Sequence, residues 1–168
     1  ESGGDNLQLT FSPDLVDRLR VLAESLRRPP PRPVPTLDAA RAVLRELFGH
    51  PDFRPGQAQI VEAVLSGRDC VGVMPTGAGK SLTYQLPATV LEGTALVLSP
   101  LVALMEDQVR SLTARGVAAT FLSATLEPEE RKRREEAFSN GAYKLVFVAP
   151  ERLASGTFLA RLARANVS

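Results

Sequence analysis

Apolar positions change their period several times along the chain, and those changes divide it into elements. Leu15, Leu19, Leu22 and Leu26 recur at spacings of four, three and four, which places them on one helical face. Ser12-Pro13-Asp14 stands before them with a capping hydroxyl, a proline suited to the first helical position and an early acid. Arg27 and Arg28 stand at the far end, where cations suit the helix dipole. This predicts an amphipathic helix within an N-terminal extension of residues 1–28, docked on the protein itself rather than on an outside partner. Five prolines between Pro29 and Pro35 then rule out helix and sheet and predict an extended linker over residues 29–35. A ligand for a proline-binding module is the alternative use of such a run.

From residue 36 onward the pattern becomes regular. Leu37, Ala40, Val43, Leu44 and Leu47 form a helical stripe that Gly49 can end, and Ile60, Val61, Val64 and Leu65 form another that Gly67 can end. Short apolar runs then alternate with helical stretches. Strands are predicted at Cys70–Met74, Ala95–Leu98, Val117–Leu122 and Leu145–Val148. Helices are predicted at Lys80–Val90, Leu101–Thr113, Pro128–Phe138 and Phe158–Ala163. Runs of about five apolar residues between helices suit strands buried on both faces, so the fold class is α/β, a mostly parallel sheet with flanking helices. In the stretch at 128–138, Glu129/Arg133 and Glu130/Arg134 are spaced as four-apart ion pairs, which favours a solvated outer helix over a nucleic-acid patch.

Composition narrows the function classes. The 168 residues carry a formal net charge of +1, so any nucleic-acid surface has to be local. With Cys70 and His50 the only residues of their kinds, an internal disulfide is excluded and a zinc site built from them is disfavoured. The lone thiol inside an apolar run reads as a small buried hydrophobe in a reducing, cytoplasmic setting, the nucleoid if the source is bacterial. No apolar stretch approaches a membrane span, so no membrane partner is expected. The opening residues ESGGDNLQ are neither basic nor apolar; they suit the middle of a longer chain or a cloning scar rather than a secretory signal.

The sharpest chemical signal is Met74-Pro75-Thr76-Gly77-Ala78-Gly79-Lys80-Ser81, between an expected strand and an expected helix. Glycines at 77 and 79 let the backbone curl so that N–H groups point inward at phosphate oxygens, and the following helix offers its positive end to the same anion. Thr76 to Ser81 are therefore candidate nucleotide-binding residues. Lys80 can reach the β- and γ-phosphates and Ser81 can place its hydroxyl on Mg²⁺, which makes these two the candidate catalytic residues. The usual eight-residue pattern begins with glycine, whereas Met74 holds that place here. A glycine-rich turn without a ligand is the alternative.

Flanking residues extend the signal. The loop resembles motif I of superfamily 2 helicases, in which the leading glycine is often missing. Leu47-Phe48-Gly49-His50-Pro51-Asp52-Phe53-Arg54-Pro55-Gly56-Gln57 resembles motif 0 of the RecQ family of ATP-dependent DNA helicases. Ser99-Pro100-Leu101-Val102-Ala103-Leu104-Met105-Glu106-Asp107-Gln108-Val109 is similar to that family's motif Ia, and Ala149-Pro150-Glu151-Arg152-Leu153 to its Pro-Glu-Arg motif. The resemblance runs from about Leu37 to Ala163 and leaves residues 1–35 uncovered.

This resemblance implies the N-terminal part of a RecA-like P-loop NTPase domain over residues 36–168, with ATP and Mg²⁺ as cofactors. Gln57 falls where the family reads adenine; an amide can pair with N6 and N7 of that base. Arg54 falls beside the base, where a guanidinium can stack. His50 stands where many relatives carry a stacking tyrosine, although a surface turn residue after Gly49 is an equal reading. Ser99, Pro100, Leu101, Gln108 and Arg152 match the family's single-stranded DNA path, at the carboxyl ends of strands where open α/β sheets bind ligands. The implied activity is 3′-to-5′ unwinding of single-stranded or partly duplex DNA coupled to ATP hydrolysis, in repair and recombination. An RNA helicase of the same superfamily and a non-catalytic nucleotide- or DNA-binding adaptor are the alternatives. The family's Asp-Glu-Ala-His box is not found in residues 1–168. The box and a second motor domain are expected in the parent chain, and these residues alone are expected to hydrolyse ATP negligibly.

Overall fold

The computed structural model describes residues 35–168 together with Asp17 and Arg20. The expected N-terminal helix and most of the proline-rich linker therefore lie outside the described residues.

Helix α1 spans Leu37–Glu46. Thr36 caps it, its hydroxyl accepting the Ala39 N–H at 3.2 Å, and Ala40 and Leu44 face inward. Gly56, at φ 85°, turns the chain into α2, Gln57–Leu65, which buries Gln57, Val61, Ala63 and Leu65. Helix α3, Leu82–Val90, follows the glycine-rich loop. Strand β1 (Ala95–Leu98), α4 (Val102–Ala114), β2 (Ala119–Leu122), α5 (Pro128–Ser139) and β3 (Leu145–Val148) complete the alternation, followed by a 3₁₀ turn at Pro150–Ala154 and α6 at Gly156–Leu162.

The three strands are parallel and ordered β1-β3-β2. Leu145 of β3 stands opposite Ala95 and Ala119, and Val148 stands opposite Leu98 and Leu122. Strand β3 sits in the middle with all four side chains buried, as an uninterrupted apolar run in a parallel sheet requires. Its alternation divides the core. Leu145 and Phe147 pack with Leu44, Val61, Leu86, Met105 and Leu112 on one face. Val146 and Val148 pack with Leu122, Phe138, Phe158 and Leu162 on the other. The parallel, doubly covered sheet agrees with the α/β, RecA-like expectation. No described helix is long and apolar enough to cross a membrane.

Three local expectations are corrected. Cys70–Met74 forms no strand: the segment pairs with no other described strand, and Val71 and Val73 are each 93% exposed. A strand exists only through backbone partners, and the outer edge of β1 is met instead by a single parallel bridge from Thr94 to Val167. Cys70 is accordingly exposed rather than buried. Helix α5 is not wholly solvated, because it buries Glu135 and Phe138; Glu130 holds both Arg134 at 2.6 Å and Arg133 at 2.5 Å, in place of the expected Glu129–Arg133 pair. The Arg134 guanidinium, hydrogen-bonded to Glu130, holds that carboxyl below its ordinary range, with Arg133 adding to the effect.

Candidate nucleotide site and nucleic-acid face

The loop from Met74 to Ser81 joins the extended segment to α3. Gly77 and Gly79 both adopt φ 80°, which L side chains rarely adopt. The Ala78 N–H closes the loop on the Pro75 carbonyl at 3.2 Å. Among the described residues, the N–H groups of Gly77, Gly79, Lys80 and Ser81 have no protein acceptor. Unpartnered backbone donors on a glycine-rich curl, ahead of a helix, form a cradle for an anion. The Lys80 ammonium lies over the same loop, donating to the carbonyls of Met74 at 3.1 Å and Pro75 at 3.5 Å. A polyphosphate fits this donor set. Lys80 and Ser81 sit in the turn just before α3 rather than inside the helix, and Thr76 is exposed at the start of the curl.

Motif 0 is fastened directly to this loop. Gln57, 2% exposed, donates from Nε2 to the carbonyls of Ala78 and Gly79, both at 3.1 Å, and accepts the Arg54 N–H on Oε1 at 2.9 Å. Arg54 in turn donates from Nη1 to the Gly77 carbonyl at 2.8 Å. His50, Pro51, Asp52, Arg54, Gln57, Gly79 and Leu82 line one cleft of about 340 Å³. The structure thus brings His50, Arg54 and Gln57 together against the glycine-rich loop, although they precede it by some twenty residues or more. His50 is an exposed turn residue whose N–H bonds the Leu44 carbonyl, and it forms one wall of the cleft. No cluster of three or more acidic, histidine or cysteine side chains gathers among the described residues.

At the carboxyl end of β1, Ser99 Oγ accepts the Leu101 N–H at 3.4 Å, ahead of α4. Leu98, Leu101 and Leu104 are exposed here, Leu101 by 62%. The other two expected nucleic-acid residues have protein partners. Gln108 turns its side-chain oxygen to α3, accepting from Gln85 Nε2 at 2.6 Å and the Tyr84 hydroxyl at 3.3 Å. Arg152, in the 3₁₀ turn after β3, donates from Nη2 to Glu135 at 2.6 Å and lies over the Phe158 ring. Arg161 reaches the other Glu135 oxygen at 3.4 Å, and the Nε of Arg152 is buried without a partner.

Sequence reasoning missed both networks. Tyr84 packs edge-on against Phe147, and burial raises its phenol pKa, while the nearby Ser81 hydroxyl opposes that shift. Gln85 and Glu135 are buried polar residues in helices, a signal that appears only once the apolar faces have been assigned.

Residues 54–167 match the DEAD/DEAH box helicase family. The chain is 40% identical over 128 residues to the ATP-dependent DNA helicase RecQ of Haemophilus influenzae, covering 76% of the chain and 21% of that protein. It is 41% identical over 124 residues to the ATP-dependent DNA helicase RecQ of Bacillus subtilis, covering 73% and 21%. It is 44% identical over 122 residues to a putative ATP-dependent DNA helicase Q1 of Caenorhabditis elegans, covering 71% and 19%. The chain spans about a fifth of the length of these curated relatives.

Proposed function

Because the chain belongs to the DEAD/DEAH box helicase family, we propose that the protein carrying it is a RecQ-type ATP-dependent DNA helicase. It unwinds DNA 3′ to 5′ in repair or recombination, inside the cell. Residues 36–168 form the ATP-binding portion and the start of the single-stranded DNA path, and the acidic box and second motor domain belong elsewhere in the parent protein. The observation that carries this reading is the fastening of Gln57 and Arg54 to the carbonyls of Gly77, Ala78 and Gly79. A base reader is tied to a phosphate cradle, which suits a nucleoside triphosphate better than a bare phosphate.

The residues divide the work as follows. The N–H groups at Gly77, Gly79, Lys80 and Ser81 receive phosphate oxygens. Lys80 exchanges the carbonyls of Met74 and Pro75 for the β- and γ-phosphates, a stronger charge-assisted contact. Ser81 offers its hydroxyl to Mg²⁺. Gln57 exchanges loop carbonyls for the edge of adenine, while Arg54 and His50 cover the base. Bound ATP with its Mg²⁺ supplies the transferable γ-phosphoryl group, whose charge the cradle and Lys80 offset. Ser99, Pro100 and Leu101 meet single-stranded DNA at the end of β1. Gln108 and Arg152 support that path through Gln85 and Glu135.

The test is strand separation by the protein carrying this chain, on duplexes with a 3′ or a 5′ single-stranded tail and on the RNA equivalents. ATP-dependent unwinding confined to the 3′-tailed DNA is expected. Preference for RNA, or for the 5′ tail, would contradict the reading.

A further inference from the structure

Helices α3 and α4 each begin at the end of a functional loop: α3 after the phosphate cradle, α4 after Ser99-Pro100-Leu101. They pack mainly on other elements, α3 on α1 and α2, and α4 on β2. Their direct polar connection is the Gln108 side chain. Its Oε1 takes two donors from α3, Gln85 Nε2 at 2.6 Å and the Tyr84 hydroxyl at 3.3 Å. Gln85 is buried, so its amide depends on this acceptor. Tyr84 is fixed edge-on by Phe147 of the central strand, and the Gln85 N–H donates to the Ser81 carbonyl at 3.0 Å. A displacement of α4 of about an ångström would stretch both bonds beyond hydrogen-bonding range. It would thereby disturb the first turn of α3, whose Gln85 N–H donates to the Ser81 carbonyl.

We propose that Gln108 is a positioning residue, not a nucleic-acid contact: by holding Tyr84 and Gln85, it makes the seating of Ser81 depend on how α4 sits beneath bound single-stranded DNA. This rests on the helicase reading above. It assigns Gln108 a purpose that the exposed residues at the start of α4 do not share. No covalent bond is made or broken; the coupling is carried by the two hydrogen bonds from Tyr84 and Gln85 to Gln108, which a shift of α4 would stretch.

The experiment measures steady-state ATP hydrolysis by the protein carrying this chain against single-stranded DNA concentration. It compares wild type with Gln108→Met, Gln108→Glu and Tyr84→Phe, each checked for folding by thermal melting. Gln108→Met removes the acceptor at similar volume, and is expected to reduce the ratio of DNA-stimulated to unstimulated turnover by about tenfold. The DNA concentration for half-stimulation should move by less than about threefold, as for a residue that does not touch DNA. Tyr84→Phe, losing one of the two bonds, should fall between wild type and Gln108→Met. Gln108→Glu keeps the acceptor and should restore the ratio. A rise in the half-stimulating DNA concentration at unchanged stimulated turnover would make Gln108 a DNA contact and overturn the proposal. An equal loss of stimulated and unstimulated turnover would reduce it to a structural residue. Absence of DNA stimulation in the wild type would refute the helicase reading itself, and the proposal with it.

Discussion

The side-chain nitrogen of Gln57 donates to the Gly79 carbonyl at 3.1 Å, and a β-carbon added at Gly79 would stand 2.5 Å from that same nitrogen. Gly79 thus answers two demands, a left-handed φ and room for the side chain that reaches it from α2. Gly77 shares the φ but has nothing within 4 Å of an added β-carbon.

The two glycines therefore separate backbone strain from contact with Gln57, the proposed base reader. Each Gly→Ala change should cost about 1–2 kcal/mol for the left-handed backbone, measured by urea unfolding. Gly79→Ala should in addition displace Gln57 and erode discrimination between ATP and GTP in nucleotide-dependent melting, whereas Gly77→Ala should leave that discrimination in place. Equal effects of the two variants on discrimination would show that Gln57 does not read the base from this position.

Glu135 and Arg152 form the most enclosed ion pair among the described residues, with side chains 7% and 15% exposed. Removing one partner strands the other charge, along with the Arg161 contact. Glu135→Ala should cost about 3 kcal/mol by denaturant titration. Arg133→Ala, at an exposed pair, should cost less than about 0.5 kcal/mol. A loss at Glu135 no greater than that at Arg133 would show that the pair does not anchor the 3₁₀ turn to α5.

Tyr84 gives a pH-dependent signature. Its pKa is raised by burial, so above the ordinary phenol value of about 10 the folded state holds a proton that the unfolded state has lost. Its contribution to stability is full below about pH 10 and declines as pH climbs through the raised folded value. Tyr84→Phe should remove that part of the alkaline decline, visible as a shallower fall in unfolding free energy above pH 10 than in wild type. Parallel alkaline limbs would show that the phenol is not buried as described.

What the sequence disclosed follows from how far apart the interacting residues lie. The curl of the loop was legible because Gly77 and Gly79 are the residues that tolerate its left-handed backbone. Strand β3 was legible because Leu145–Val148, buried on both faces, must be uninterrupted apolar. Cys70–Met74 carries the same pattern and forms no strand here, because pairing depends on neighbours that a local pattern does not encode. The partners of Gln108 and Arg152 were illegible for a related reason. Gln85 and Glu135 lie 23 and 17 residues away with no shared spacing, and only the tertiary fold brings them together. Family resemblance marked those positions without giving their contacts.

The proposal that the cradle serves an ATP-driven motor stimulated by DNA can be tested directly. Its most direct test is ATP hydrolysis by the protein carrying this chain, with and without single-stranded DNA, beside Lys80→Ala. Hydrolysis stimulated by DNA in the wild type and abolished by Lys80→Ala is the predicted result. Hydrolysis indifferent to DNA, or surviving loss of the Lys80 ammonium, would contradict it.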